Sequence, residues 1–311
     1  MEKRIGFIGL GAMGLYMAKN LLKGGVNLTV YDINQDVVND AVISGAKAGA
    51  SNKDVSEKSD IVITMLPQDE HVRTVLAGEK GVFEGCQPGQ IIVDMSTISP
   101  GTSKDMAKEC DKRGIKYIDA PVSGGTKGAE TGTLTIMVGG QKEVYDECMP
   151  LFEIMGKNIF HLGDVGTGQT VKMVNQILCA VNMLGISEAF ALGVKSGADP
   201  EVIYNIIRNS AGNSWQIDGR MPNYVLTGEF TKPGFALDLQ LKDIGIAVNT
   251  GKELKVPIPV TALAYQLYTA ASNSGCGKMD MSSIITLFEE MAGVQVRKVY
   301  SDEKEVAAGV N

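Results

Sequence analysis

The chain has 311 residues, 44% hydrophobic and 21% charged, the composition of a folded globular protein long enough for two cores rather than one. A net charge of −7 and a pI near 5.1, with no basic run, argue against nucleic acid or an anionic membrane as partner, because no cationic excess meets phosphates. Five cysteines, odd in number and without a Cys-x-x-Cys pair, argue against a disulfide framework and against a metal site, and point to a reducing, cytoplasmic setting. The opening Met1-Glu2-Lys3-Arg4 runs into an apolar stretch too short for a leader or a membrane span.

Arg4 to Gly9 reads as a short apolar strand, and Gly9-Leu10-Gly11-Ala12-Met13-Gly14 follows it into an amphipathic helix, Leu15 to Lys23. A second strand, Asn27 to Tyr31, ends in Asp32, 18 positions past Gly14. A G-x-G-x-x-G in a chain with 37 glycines is weak alone; closing a strand, opening a helix and preceding an acidic strand end, it is the dinucleotide fingerprint. Gly9 permits the tight turn, Gly11 admits a pyrophosphate close to the backbone, and Gly14 lets helix and strand approach. Ala12 and Met13 complete the loop, and the helix N-terminus offers N–H donors and partial positive charge to phosphates. Asp32 is suited to accept the adenosine ribose hydroxyls and to repel a 2′-phosphate, and no arginine follows it, so NAD is favoured over NADP.

Helices are then expected over 35–44, 52–58, 70–76 and 101–113, interleaved with strands at 60–65, 90–94 and 116–119. Such alternation predicts a parallel sheet with right-handed crossovers, whose ligands lie beyond the carboxyl ends of the strands. That rule marks Met65-Leu66-Pro67 and Ser96-Thr97 as cofactor-facing loops, equally readable as plain connections. The third of these strands runs into Asp119-Ala120-Pro121-Val122-Ser123-Gly124-Gly125, where a hydroxyl and successive unobstructed N–H groups form a nest for a carboxylate or an unliganded turn. Lys127 beyond it reads as a solvated side chain. Further strands are expected at 133–138 and 158–161, around a helix at 143–155.

From Gly163 a glycine-rich entry leads into a long, largely apolar helix, 170–195. Lys172 lies in its opening turns with Asn175 and Gln176 three and four positions on, so the three share a face and an ammonium and an amide can address one small ligand. A lone helix lysine is ordinarily solvated, and only its surroundings raise it above that. The two histidines, His71 and His161, stand in no triad order, so an acid/base enzyme here needs another proton carrier. Beyond it the chain turns helical, at 200–209, 217–226, 237–254, 260–272 and 282–291, with breaks such as Val256-Pro257-Ile258-Pro259. The expected domains are 1–162 for the dinucleotide and 163–296 for a helical domain opening with the long helix, with 297–311 a flexible tail. Trp215, the one tryptophan, reads as core.

Four stretches carry a further signal: Gly6 to Gly14, Asp119 to Gly125, Gly166-Thr167-Gly168 leading to Lys172, and Phe235 to Asp243. Together they resemble the β-hydroxyacid dehydrogenase family between residues 4 and 296. The resemblance implies an α/β Rossmann domain followed by an all-α domain, joined by a long interdomain helix, in a homodimer or homotetramer. It implies an NAD-dependent oxidoreductase that interconverts a small 3-hydroxy acid and its semialdehyde, with Lys172 as the catalytic acid/base. Ser123, Gly124 and Gly125 would clamp the substrate carboxylate, Asn175 would orient the substrate, and Lys242 would lie near the cofactor. A lysine does this work near neutral pH only where burial and neighbouring charge bring its pKa to about 7 to 8.

One position departs from the family pattern: relatives commonly carry a second, substrate-contacting asparagine where this chain has Gln176, one methylene longer. Asp119 to Gly139 and Phe235 to Lys242 look most like the 2-(hydroxymethyl)glutarate dehydrogenase branch. Tartronate semialdehyde reductases, 3-hydroxyisobutyrate dehydrogenases and sulfolactaldehyde reductases are the alternative branches, and a non-catalytic dinucleotide-binding scaffold is the rival of another class. Arg220 and Trp215, in the helical half, are candidates for the distal part of a substrate.

Overall fold

The computed structural model describes residues 3 to 297, so the tail expected over 297–311 lies, apart from Arg297, outside the described residues. By packing, the chain forms two compact units that part between Val174 and Asn175.

The first unit holds six parallel strands, β1 (Ile5–Ile8), β2 (Leu28–Tyr31), β3 (Lys47–Ala48), β4 (Ile61–Thr64), β5 (Ile91–Asp94) and β6 (Lys116–Asp119). Their order is β3-β2-β1-β4-β5-β6, the doubly wound arrangement in which the winding reverses between β1 and β4. The strands β1, β4 and β5 are buried along their whole length, which is why they read as unbroken apolar runs rather than alternating ones. Register places Ile8 beside both Tyr31 and Thr64, Thr64 beside Asp94, and Asp94 beside Asp119. The strand ends are therefore level, and the loops that follow them leave the sheet along one edge. Helix Gly14–Lys23 covers the sheet by burying Met17, Ala18 and Leu21, which its 3.6-residue period puts on one face.

Two features of this unit depart from expectation. The strands expected at 133–138 and 158–161 do not extend the main sheet; they are β8 (Leu134–Val138) and β9 (Gly156–His161) of a separate sheet that begins with β7 (Val122–Ser123), in the order β7-β8-β9. In it β7 runs antiparallel to β8 and β8 parallel to β9. A two-residue strand has no period to read, and the same holds for β3, whose residues are both exposed. The loop expected after Ser123 is in fact the entry to a short helix, Gly125–Thr131. The two sheets meet where Asp119 and Gly139 exchange backbone hydrogen bonds of 3.0 and 2.8 Å.

The long helix runs from Thr167 to Lys195, 29 residues, and begins before the expected Thr170. It is long and apolar enough by composition to cross a membrane, a property shared by core helices, and it carries Lys172 and Gln176 as buried polar groups.

The second unit packs helices around a core that includes Met183, Phe190, Ile244, Tyr268 and Ile285. The segments expected as single helices at 217–226 and 260–272 are helix Trp215–Arg220 followed by a π turn, Met221–Val225, and helix Pro259–Ala271 followed by another, Ser272–Cys276. Pro222 lacks the N–H that an α-turn needs, and Gly275 leaves helical space at φ +94°. Trp215 is not core: it is 66% exposed, with its ring centroid 5.9 Å from the Arg220 guanidinium. Standing at the first position of a helix capped by Ser214, it lies over that cation rather than among apolar side chains. Arg220 is buried and ion-paired with Asp280, which also accepts the Gly234 N–H at 3.0 Å.

Candidate active site

The glycine loop sits at the end of β1, and its three glycines answer to different demands. A Cβ on Gly9, whose φ is +95°, would stand 2.3 Å from the Met65 carbonyl oxygen, and one on Gly14 would stand 1.9 Å from the Gly9 oxygen. A Cβ on Gly11 would meet nothing within 4 Å. Gly9 and Gly14 are thus required by the protein's own packing, whereas at Gly11 the space a side chain would fill is open, as a cradle for a pyrophosphate requires. Asp32 follows β2 and accepts the Leu10 N–H through Oδ2 at 2.7 Å and the Asn34 N–H through Oδ1 at 2.8 Å. Its carboxylate is fixed against the glycine loop, with Ala12 and Met13 between that contact and the helix start.

The loops after β4 and β5 are tied to each other. Met65-Leu66-Pro67 leaves β4, and the Leu66 N–H donates to Ser96 Oγ at 2.8 Å. Ser96 is fully buried, so its hydroxyl braces the neighbouring loop, and Thr97 is the part-exposed member of the pair. Beneath them Asp94 accepts hydrogen bonds from Thr64 at 2.9 Å, Tyr117 at 3.2 Å and the Ser96 N–H at 3.1 Å. Burial pushes its carboxyl above the usual range against those bonds.

At the next strand end, Asp119 reaches the start of the long helix. Its Oδ1 accepts the Gly166 N–H at 2.6 Å and its Oδ2 the Gln169 N–H at 2.9 Å. Burial pushes its pKa up to about 6, with the two N–H donors opposing. The Gln169 side chain spans to the β5 loop, where Oε1 accepts the Ile98 N–H at 3.1 Å and Nε2 donates to the Ser96 carbonyl at 2.8 Å. Lys172 comes three residues later and is 6% exposed. Ser123 ends β7 opposite Thr135, and Gly124 (φ +137°) and Gly125 (φ +61°) turn the chain into the following helix through backbone angles that disfavour any side chain. The first N–H groups of this short helix have no acceptor within it and no side-chain cap. Lys127 is exposed and paired with Glu130.

The remaining predicted residues belong to the second unit, where the structure gathers Asn175, Gln176 and Lys242 around two residues that sequence reasoning missed, Gln240 and Asp243. Gln176 donates to Asp243, Gln240 donates to the Gln176 carbonyl at 3.0 Å, and Asn175 donates to Gln176 Oε1 at 2.9 Å. Gln176, Gln240 and Asp243 are all buried. Sequence reasoning likewise misses Asp119 as the partner of the long helix and Gln169 as the helix side chain that reaches the β5 loop; an acidic strand end and a helix glutamine carry no local mark of contacts made 47 to 73 residues away. Among the described residues no cluster of three His, Cys, Asp or Glu side chains is arranged to hold a metal.

Comparison with known proteins bears on this arrangement. Residues 4–163 match the family model described as the NAD binding domain of 6-phosphogluconate dehydrogenase, and residues 166–288 the one described as NAD-binding of NADP-dependent 3-hydroxyisobutyrate dehydrogenase. The chain is 47% identical to a 2-(hydroxymethyl)glutarate dehydrogenase of Eubacterium barkeri over 298 residues, 95% of this chain and 99% of that one. It is 40% identical to an NAD-dependent L-serine dehydrogenase of Pseudomonas aeruginosa, covering 94% and 99% of the two chains. Among solved structures, a 3-hydroxyisobutyrate dehydrogenase of Mycobacterium tuberculosis, determined with L-serine, superposes with a TM-score of 0.84 at 30% identity over 93% of this chain and 99% of that one.

Proposed function

The chain belongs to the β-hydroxyacid dehydrogenase family, and we propose that it oxidises the terminal carbinol of 2-(hydroxymethyl)glutarate reversibly to the semialdehyde, with NAD in preference to NADP. It is a nicotinamide-dinucleotide-dependent oxidoreductase, as its dehydrogenase relatives are. The substrate choice is supported by the 47% identity to a 2-(hydroxymethyl)glutarate dehydrogenase, and the observation that carries the acid/base assignment is Lys172, a lysine 6% exposed on a helix whose first turn is tied to the ends of β5 and β6. A buried amine is suited to proton transfer and ill suited to surface solvation.

When bound, the dinucleotide supplies the hydride acceptor; Gly9, Gly11, Ala12, Met13 and Gly14 would hold its pyrophosphate, Asp32 its adenosine ribose, and Met65-Leu66-Pro67, Thr97 and Lys242 its other half. Neutral Lys172 takes the hydroxyl proton of the substrate as the carbonyl forms, and its ammonium returns that proton in the reductive direction. General acid/base work of this kind contributes ~10² to 10⁴ in rate. Ser123, Gly124 and Gly125 bind the carboxylate next to the reacting carbon, where N–H donors favour an anion. Asn175 orients the substrate and Gln176 supports it. The carboxylate of Asp32 disfavours a 2′-phosphate, which supports NAD.

L-serine, a 3-hydroxy acid bearing an amine, is the second reading, favoured by the 40% identity to a serine dehydrogenase. All five cysteines are free thiols, which supports a cytoplasmic setting, and membership of the family supports a homodimer or homotetramer as the working form. Lys172→Ala tests the assignment: turnover should fall by ~10² or more with NADH binding retained, and near-wild-type turnover would refute it. Initial rates with 2-(hydroxymethyl)glutarate, 3-hydroxyisobutyrate and L-serine, each with NAD and NADP, decide substrate and cofactor; inactivity toward all three would favour a binding scaffold.

A further inference from the structure

A helix begins with N–H groups that lack partners, and most helices satisfy them with a side chain from the residue just before the first turn. The long helix has Gly166 there, which has no side chain to offer. Its cap comes instead from Asp119, 47 and 50 residues away in sequence, whose two carboxylate oxygens accept the N–H groups of Gly166 and Gln169. An anion at that end also complements the helix dipole. Room for the carboxylate exists only because its neighbours are glycines. A Cβ on Gly168 would lie 2.7 Å from Asp119 Oδ2 and 2.3 Å from the Met137 oxygen, and one on Gly139 would lie 2.7 Å from Asp119 Oδ1.

The second clamp is Gln169. Its amide is held at both ends by the backbone of the loop after β5, at Ile98 and Ser96. Asp119 therefore sets where the helix starts along its axis, and Gln169 sets how it is turned about that axis. Lys172 is three residues beyond Gln169 and on the same face, about 4.5 Å further along. A slip of one residue would rotate that face by roughly 100°.

We infer that Asp119 and Gln169 are positioning residues that hold the first two turns of the long helix so that Lys172 is presented, in one fixed orientation, to the loop after β5. The inference rests on Lys172 being the acid/base group. Stability alone is a poor account of the pair, because Asp119 is buried in its charged form at neutral pH, with a pKa pushed up to about 6 by that burial. The return on that cost is geometry, and misplacing a reacting group by an ångström lowers rate by as much as ~10²-fold.

The test compares Asp119→Asn, Gln169→Met and Lys172→Ala in the full-length enzyme by kcat, KM, the pH profile of kcat, NADH affinity from fluorescence titration, and thermal midpoint. Asp119→Asn keeps the shape but offers one acceptor oxygen instead of two. It should lower kcat ~10- to 100-fold, leave NADH affinity within about threefold, and displace the pH profile by about half a unit or more as the amine moves. A helix cap that only stabilised the fold would leave kcat per folded molecule and its pH profile at wild-type values, and that result overturns the inference. Should Asp119→Asn fail to fold, Gln169→Met is read in its place against the same kcat and pH criteria. If Lys172→Ala is inactive while both positioning variants behave as wild type, only this inference falls; if Lys172→Ala remains active, the catalytic reading falls first.

Discussion

Gln176 donates its side-chain amide to Asp243 Oδ2 at 2.6 Å, and Lys242 pairs with the other oxygen of the same carboxylate at 2.8 Å. The position that departs from the family pattern is thus the donor in a buried network. Shortening it by one methylene withdraws the donor from a carboxylate that is 2% exposed. Gln176→Asn should cost about 1 to 3 kcal/mol, the range for stranding a buried acceptor, seen as a lower urea midpoint with an unchanged m value. A midpoint equal to that of the wild type would mean that the Gln176–Asp243 bond contributes nothing to stability.

Gly11 and Gly14 should separate cofactor binding from folding. An alanine at Gly14 meets the Gly9 oxygen at 1.9 Å, so Gly14→Ala should destabilise by about 1 to 3 kcal/mol or more as an overpacked site. At Gly11 nothing lies within 4 Å, so Gly11→Ala should stay within about 0.5 kcal/mol of wild type while losing NADH affinity. Isothermal titration with NADH beside thermal denaturation reads both, and unimpaired NADH binding by Gly11→Ala would place the pyrophosphate elsewhere.

Asp32 should govern cofactor choice through its charge. Asp32→Asn keeps an oxygen for the Leu10 N–H, now bonded at 2.7 Å, while removing the negative charge. A charge-assisted bond to a ribose hydroxyl is about twice as strong as a neutral one, and a difference of roughly 1.4 kcal/mol is a factor of ten. The ratio of kcat/KM with NAD to that with NADP should therefore fall ~10-fold. An unmoved ratio would mean that another group discriminates.

Asp119 should shape the dependence of stability on pH. Burial raises its folded pKa from 3.8 to about 6, so as pH rises the unfolded chain releases this proton first. Between those values the folded state binds more protons, and stability falls with rising pH until it levels above about 6. The shift corresponds to about 3 kcal/mol at 1.36 kcal/mol per unit. Asp119→Asn does not titrate and should lose that part of the slope, while buried Asp94, also raised, leaves a residual slope of the same sign. Urea unfolding at several values between about pH 4 and 7 measures it; identical slopes in the two proteins would exclude Asp119 as its source.

The amino-acid sequence by itself determined the alternating first half, the helical second half, the glycine loop with Asp32, and the family. It could do so because these depend on short-range pattern: a strand, a turn that needs glycine and a helix are neighbours in sequence. The resemblance drawn from the four stretches agrees with a relative 47% identical over nearly the whole chain. Only the tertiary structure decided what each buried polar group meets. Asp119 was legible as the head of a loop motif, not as the cap of a helix 47 residues on, and Gln176 as an amide beside Lys172, not as the donor to Asp243 67 residues on. Val122–Ser123 became a strand because β8 lay beside it, and Trp215 lay outside the core because Arg220 lay under it. Periodicity reports which face of an element is apolar; which distant group lies opposite a given polar atom is settled by register and close packing after the chain has folded.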